Sequence, residues 1–196
     1  MGTLGCLSFN GNKIISAGGG GMILTDNEVL AEKAKYLTTQ AKDDGIRYIH
    51  NDIGYNYRLT NIQAAMGVAQ LEQLPGYLKI KKRNYQRYKN EIDDISGLHI
   101  AKIPEYAENN HWMYALQIDK GAYGKDREQL MTCPTENDIQ TRPVWQLNHM
   151  QKPYRSCQVY QIERAKDLID KTINIPCSMN LKEIEIDYII KILKNA

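Results

Sequence analysis

The stretch Ser8-Phe9-Asn10-Gly11-Asn12-Lys13-Ile14-Ile15, followed by Gly18-Gly19-Gly20-Gly21-Met22, decides the reading of this chain. Short apolar runs at Cys6 to Phe9, Ile14-Ile15 and Met22 to Leu24 bracket small residues, which predicts strand pieces around a tight glycine turn. A lysine beside glycines invites comparison with a phosphate-binding loop, and the comparison fails. Such a loop needs Gly-Lys-Ser/Thr opening a helix, whereas Lys13 follows Asn12 and precedes two isoleucines. The segment also lacks the Gly-x-Gly-x-x-Gly of a dinucleotide turn. A second use of a lysine among small residues is covalent. Desolvation lowers an amine's pKa, makes it nucleophilic near neutral pH, and lets it form a Schiff base with an aldehyde cofactor. Ser8, Asn10 and Asn12 would be polar partners for such a group, and a surface lysine in a glycine-rich hairpin is the plain alternative.

Downstream, Thr25-Asp26-Asn27-Glu28 has capping-box spacing ahead of Leu30, Ala34, Leu37 and Ala41 at helical intervals. Residues 42–59 are polar and ring-bearing, and read as a long loop of the kind that is usually functional or disordered. Thr60-Asn61-Ile62-Gln63 is a second capping box, opening an Ala-rich helix to about Leu74, and Pro75-Gly76 marks a boundary. Lys79 to Lys89 reads as a basic helix with Tyr85 and Tyr88 interleaved, its charges solvated. Beyond Ile100 the pattern turns to alternating strand and helix. Trp112, Tyr114, Leu116 and Ile118 alternate with period two, Asp126 to Cys133 looks helical, and Ile139 to Trp145 extended. Ile162, Ala165 and Ile169 are periodic, Ile173 to Pro176 is a short strand, and Ile184, Tyr188 and Ile192 mark a terminal helix.

The 196 residues are 42% hydrophobic and 24% charged, an ordinary globular composition with enough chain for a sizeable core. Twenty-five Lys+Arg against 23 Asp+Glu leave a net charge of +2, so no global field draws the chain to nucleic acid or a membrane surface. No apolar run approaches the roughly 20 residues that span a bilayer, and the first residues do not read as a signal peptide. Cys6, Cys133, Cys157 and Cys177 form no Cys-x-x-Cys pair, and the four histidines have no ligand spacing, so no metal site is expected. Reduced thiols in a cytoplasmic protein are the expectation.

The lysine segment with its downstream Gly-Gly-Gly-Gly-Met resembles the Schiff-base lysine segment of the DegT/DnrJ/StrS aminotransferases. Three further blocks are similar to that family's pattern, in order: Gly54-Tyr55-Asn56-Tyr57-Arg58-Leu59-Thr60-Asn61-Ile62-Gln63-Ala64-Ala65, then Thr141-Arg142-Pro143-Val144-Trp145, then Asn174-Ile175-Pro176. The resemblance implies a pyridoxal 5'-phosphate enzyme that transfers an amino group, with glutamate as donor, to a keto group of a nucleotide-linked sugar for cell-surface glycan biosynthesis. The Asn-Gly-Asn-Lys form is similar to members acting on UDP-linked 4-keto sugars. It further implies that Lys13 is the catalytic, cofactor-bearing lysine and that Ser8 bonds the cofactor phosphate. Asn56 would reach the phosphate of a partner subunit's cofactor, with Arg58 beside it. Arg142 and Trp145 would lie near the substrate entrance.

The implied fold is α/β. Residues 1–75 would be the C-terminal part of a fold-type-I, aspartate aminotransferase-like large domain, 76–95 a linker helix, and 96–196 a small C-terminal α/β domain. A full family member is about twice this length. The first half of that pattern, with its phosphate-binding turn, its ring-stacking aromatic and the acidic partner of the pyridinium, has no counterpart among these residues. A homodimer, or a complementing N-terminal half, is the partner this implies. A catalytically inactive remnant, or a non-enzymatic module that binds an intact paralogue, is the alternative.

Overall fold

The computed structural model describes residues 2–196, and the chain divides into two compact units, Met1–Gly76 and Tyr77–Ala196. In the first unit, strands β1 (Gly5–Ser8) and β2 (Gly21–Leu24) pair antiparallel, Gly5 opposite Leu24 and Ser8 opposite Gly21. Helix α1 (Glu28–Thr38) follows. Its N-cap is Asn27, whose side chain accepts from the Leu30 N–H at 3.1 Å. The cap thus sits two residues beyond the Thr25 that the capping-box spacing selects. Thr25 instead accepts from the Asn27 N–H and donates to the Thr3 carbonyl, tying the strand end to the helix start.

The second capping box forms as the spacing predicts: the Gln63 N–H donates to Thr60 Oγ1, and the Thr60 N–H to Gln63 Oε1, both at 3.3 Å. Helix α2 (Asn61–Ile92) then runs straight through Pro75-Gly76, where the sequence marks a boundary. Proline already holds a helical φ, and it costs one backbone hydrogen bond and crowds the carbonyl four residues back. Both Pro75 and Gly76 are exposed, so that carbonyl can turn to water.

The second unit holds nearly all the core. Strands β3 (Leu98–Ile100) and β4 (Tyr114–Ile118) are followed by a short helix α3 (Lys120–Tyr123), helix α4 (Arg127–Glu136), strand β5 (Arg142–Pro143), helix α5 (Glu163–Asp170), strand β6 (Thr172–Ile175) and helix α6 (Glu183–Asn195). The four strands form one antiparallel sheet in the order β3-β4-β6-β5. The period-two pattern fixes its faces. Tyr114, Leu116 and Ile118 sit opposite Ile175, Ile173 and the β3 residues Ile100 and Leu98, and all are buried. Against them pack Tyr85, Tyr88 and Ile92 of α2, Leu130 of α4, and Ile186, Ile189, Ile190 and Leu193 of α6. The alternate positions, His99, Gln117, Ala115, Asn174 and Arg142, share the opposite and more open face. No helix among the described residues is long and apolar enough to cross a membrane.

Two expectations shift. Helix α6 forms, but Ile184 and Tyr188 of the anticipated stripe are exposed. The sequence Ile184-Glu185-Ile186-Asp187-Tyr188-Ile189-Ile190 is apolar on more than one face, and the face with the denser isoleucine packing is the one buried. The basic run on α2 is not wholly solvated either. Lys81 is 3% exposed and donates to the carbonyls of Trp112, at 2.9 Å, and Cys177. Its ammonium lies 4.7 Å from the centre of the Tyr114 ring, while the Tyr114 hydroxyl donates back to the Lys81 carbonyl at 2.7 Å. Burial lowers the Lys81 pKa and raises that of Tyr114 well above the phenol range.

Lys81→Met keeps the aliphatic stem and removes the ammonium donor from both carbonyls, leaving that of Trp112 only the weak bond from Cys177 Sγ. It is expected to destabilise the second unit by about 1–3 kcal/mol, read as a lowered midpoint in urea unfolding; an unchanged midpoint would show that the clamp contributes nothing.

Candidate active site

The loop between β1 and β2 is built on Phe9 and Asn10. The Phe9 N–H donates to the Gly20 carbonyl at 3.0 Å, and the Phe9 carbonyl accepts from Ala17 N–H and Ser16 Oγ, both at 3.1 Å. These bonds close a lariat from Asn10 to Gly20, with Lys13 on its first turn. Asn10 joins the two residues singled out for the cofactor: its N–H donates to Ser8 Oγ at 3.4 Å, and its carbonyl accepts from the Lys13 N–H at 3.0 Å. Its side-chain amide donates to Asn12 Oδ1 at 3.1 Å. Ser8 is exposed, and accepting a bond leaves its hydroxyl proton available to donate. Lys13 is half-buried. An amine, a hydroxyl and a carboxamide therefore sit in one ordered turn, a donor set that fits an aldehyde-bearing phosphate ester.

The second block is strapped to the end of α1. Tyr55 N–H donates to Leu37 carbonyl at 2.7 Å, Gln40 N–H to Tyr55 carbonyl at 3.0 Å, and Tyr57 N–H to Thr38 carbonyl at 3.0 Å. Gly54 makes this approach possible, since a Cβ there would lie 2.2 Å from the Ala41 nitrogen. Tyr55 and Tyr57 stack on one another at 5.0 Å. The intervening Asn56 and the following Arg58 are exposed. The two blocks meet at Gly20, where φ is +79° and a Cβ would stand 2.9 Å from Leu59 Cδ1. The structure thus brings Lys13, Ser8, Asn56 and Arg58 into one unit. Arg142 and Trp145 belong to the second unit, where Arg142 lies directly opposite Asn174 across β5 and β6.

The long loop is ordered by carboxylates. Asp43 accepts from the Asn51 N–H at 2.7 Å and from the Tyr36 hydroxyl at 3.0 Å. Asp44 accepts from the N–H groups of Ile46 and Arg47 and pairs with the Arg47 guanidinium. Asp52 pairs with Lys33 at 2.7 Å. These bonds hold all three carboxyls below the usual aspartate range: the Asn51 N–H foremost for Asp43, the Arg47 N–H for Asp44, and the Lys33 ammonium for Asp52. His50 Nδ1 bonds the Gln40 carbonyl at 2.8 Å, which gives this histidine a structural tie.

Sequence reasoning passed over Asn10 as the joint of the lysine turn, Asn174 as the partner of Arg142, and Trp112, which stacks on Trp145 with ring centres 5.8 Å apart. Asn10 and Asn174 carried a signal, because each lies in one of the quoted blocks.

Residues 1–194 match the DegT/DnrJ/EryC1/StrS aminotransferase family. Among curated relatives, EpsN of Bacillus subtilis (strain 168), which carries the name of a pyridoxal phosphate-dependent aminotransferase, is 36% identical over 98% of this chain and 50% of its own length. The GDP-perosamine synthase of Caulobacter vibrioides is 33% identical over 98% of this chain and 52% of its own. The chain therefore spans about half the length of these relatives. Among solved structures, DesI in the presence of its TDP-sugar product superposes with a TM-score of 0.89 at 23% identity, covering 99% of this chain and 49% of that one. A family aminotransferase from Brucella abortus gives a TM-score of 0.87 at 22% identity, covering 100% and 51%. At those identities the superpositions establish the fold.

The loop carboxylates make an acid prediction. Each has a folded pKa below its ordinary value, so their contribution is present above about pH 4 and is lost as pH falls through the folded values. Amides of Ile46, Arg47 and Asn51 are expected to lose hydrogen-exchange protection, corrected for intrinsic rate, between about pH 4 and pH 2. Protection that stays level through that range would contradict the assignment.

Proposed function

The chain belongs to the DegT/DnrJ/EryC1/StrS aminotransferase family, and on that premise we propose that Lys13 is the covalent anchor of pyridoxal phosphate in a transaminase acting on a nucleotide-linked keto sugar. The observation that carries this reading is the Asn10 backbone, which bonds the Ser8 hydroxyl on one side and the Lys13 backbone N–H on the other and so holds the two residues on one turn. When bound, the cofactor would supply an aldehyde for capture by an amine and a ring that takes up the electron pair of the carbon losing its proton, to be returned to the carbon being aminated.

In this reading Lys13 Nζ would hold the cofactor covalently and, once displaced by the incoming amine, would take a proton from one carbon and return it to the carbon on the far side of the transferred nitrogen. Ser8 donates its hydroxyl proton to the phosphate. The Asn56 amide and the Arg58 guanidinium, on a loop fastened to α1, serve the phosphate of a second subunit. Arg142 and Trp145 serve the nucleotide-linked substrate. The names of the relatives support a nucleotide-linked sugar as acceptor: GDP-perosamine synthases among the curated proteins, and DesI in the presence of its TDP-sugar product. Glutamate is the proposed donor, the cytoplasm the proposed location, and glycan biosynthesis the proposed purpose. A homodimer, or a chain carrying the other half of the site, completes it.

One observation favours a second reading, a module that docks on an intact paralogue. Every residue of β1 and β2 is exposed, including Leu7, Met22, Ile23 and Leu24, so both faces of the hairpin stand uncovered.

Adding pyridoxal phosphate to the purified chain separates the two. The amine-capture reading predicts a visible absorption band that Lys13→Ala abolishes and that Ser8→Ala weakens, with cofactor affinity falling about ten-fold for the loss of one hydrogen bond to a charged group. A band that persists unchanged in Lys13→Ala would overturn the assignment.

A further inference from the structure

None of the four cysteines is in a disulfide, and one of them has a buried amine for a neighbour. Lys81 Nζ and Cys177 Sγ converge on a single oxygen, the Trp112 carbonyl, at 2.9 and 3.5 Å. Lys81 Nζ also donates to the carbonyl of Cys177 itself, 96 residues further along the chain. Lys81 is the one lysine buried among the described residues. Burial lowers its pKa, and contact with the Cys177 sulfur offsets part of that lowering. An amine so placed gives up its proton more readily than a lysine in water, and once neutral it is a nucleophile.

The pair is within reach of small molecules. Cys177 is half-buried and lines a cavity of about 690 Å³, whose wall includes Ile139, Leu181 and Ile184 and the carboxylates of Asp138 and Glu185. Apolar walls and two carboxylates disfavour an anionic oxidant such as glutathione disulfide. A small uncharged hydroperoxide meets neither obstacle.

We propose that hydrogen peroxide entering this cavity converts Cys177 and Lys81 into a reversible sulfur–nitrogen crosslink. Cys177 Sγ attacks one peroxide oxygen and the O–O bond breaks, leaving a sulfenic acid on the cysteine. The departing hydroxide takes a proton from the Lys81 ammonium and leaves as water, while the thiol proton passes to solvent. The neutral Lys81 Nζ then attacks Sγ. The S–N bond forms, the S–OH bond breaks, and the hydroxide leaves as water with a proton from the amine. Sulfur has lost two electrons and the peroxide has gained two. A dithiol reductant returns them: one of its sulfurs attacks Sγ and releases the Lys81 amine, and the other then frees Cys177 as the reductant closes its own disulfide.

The product ties α2 to the segment after β6 by a covalent bond where the reduced chain has hydrogen bonds. Closing a loop of that length restricts the unfolded chain, so the oxidised second unit gains stability. Both residues lie in the second unit and the Lys13 turn lies in the first, so the crosslink stands or falls apart from cofactor capture.

The full chain bearing Cys6→Ser, Cys133→Ser and Cys157→Ser keeps Cys177 as its sole thiol, so no disulfide within the chain competes. Treated with hydrogen peroxide, it is expected to lose the mass of two hydrogens, and digestion without reductant should yield the Lys81 and Cys177 peptides joined. Dithiothreitol should restore the mass and the separate peptides. The urea midpoint should rise on oxidation and fall back on reduction. Lys81→Arg keeps a cation without a nucleophilic amine, and should leave Cys177 to proceed to its sulfinic acid. The same joined peptides are expected from the unaltered chain, which guards against a triple variant that fails to fold. A sulfenic or sulfinic acid on Cys177 beside an unmodified Lys81, oxidation confined to Met113, whose sulfur lies 3.7 Å from Cys177 Sγ, or a thiol untouched by peroxide in the folded chain would each overturn the crosslink.

Discussion

A single buried ammonium organises the second unit. Lys81 sits on the core-facing side of α2 and spends its donors on the carbonyls of Trp112, just before β4, and Cys177, just after β6. An ammonium taken out of water is costly unless its protons find acceptors, so the two carbonyls and the Tyr114 ring face are what make the position tolerable. In return, three segments far apart in sequence are pinned to one point. The Tyr114 hydroxyl closes the arrangement by donating to the Lys81 carbonyl. The two carbonyls it holds flank the paired residues Tyr114 and Ile175 of β4 and β6.

The two units are stabilised by different means. The second has a continuous core of Ile, Leu and Tyr, as a chain with a single Phe requires. In the first, Ala17 and Ala41 are the buried hydrophobic residues among those described. Its order comes from backbone bonds closing the lysine lariat, from Asp43, Asp44 and Asp52 holding the long loop, from the positive φ at Gly20 and from the close backbone approach that glycine permits at position 54. Such a unit keeps polar groups positioned while leaving apolar strand surface for something else to cover.

Much of this was legible in the sequence where the physics is local. The Thr60 capping box, the alternation from Tyr114 to Ile118 and the strand pieces at β1 and β2 each depend on neighbours within a few residues, and each formed, whereas Ile14-Ile15 lies in the lariat and joins no strand. The blocks that carried the family resemblance identified the family to which the chain belongs. What sequence could not supply depends on distant partners. Whether Pro75 breaks or merely decorates a helix depends on the packing on either side of it. Which isoleucine face of α6 is buried is decided by the sheet and helices it meets. Lys81 looks like one more charge in a basic run until Trp112 and Cys177 bring it acceptors, and Trp112 looks like the first residue of a strand until Trp145 folds against it.

The lysine in the Asn10 turn is the covalent site proposed for the cofactor. Borohydride reduction of the chain with pyridoxal phosphate, followed by peptide mass mapping, tests it most directly. A single reduced adduct on Lys13 is expected, with the other lysines unmodified at stoichiometric cofactor. An adduct spread over surface lysines, or none on Lys13 in a chain shown to be folded, would contradict it.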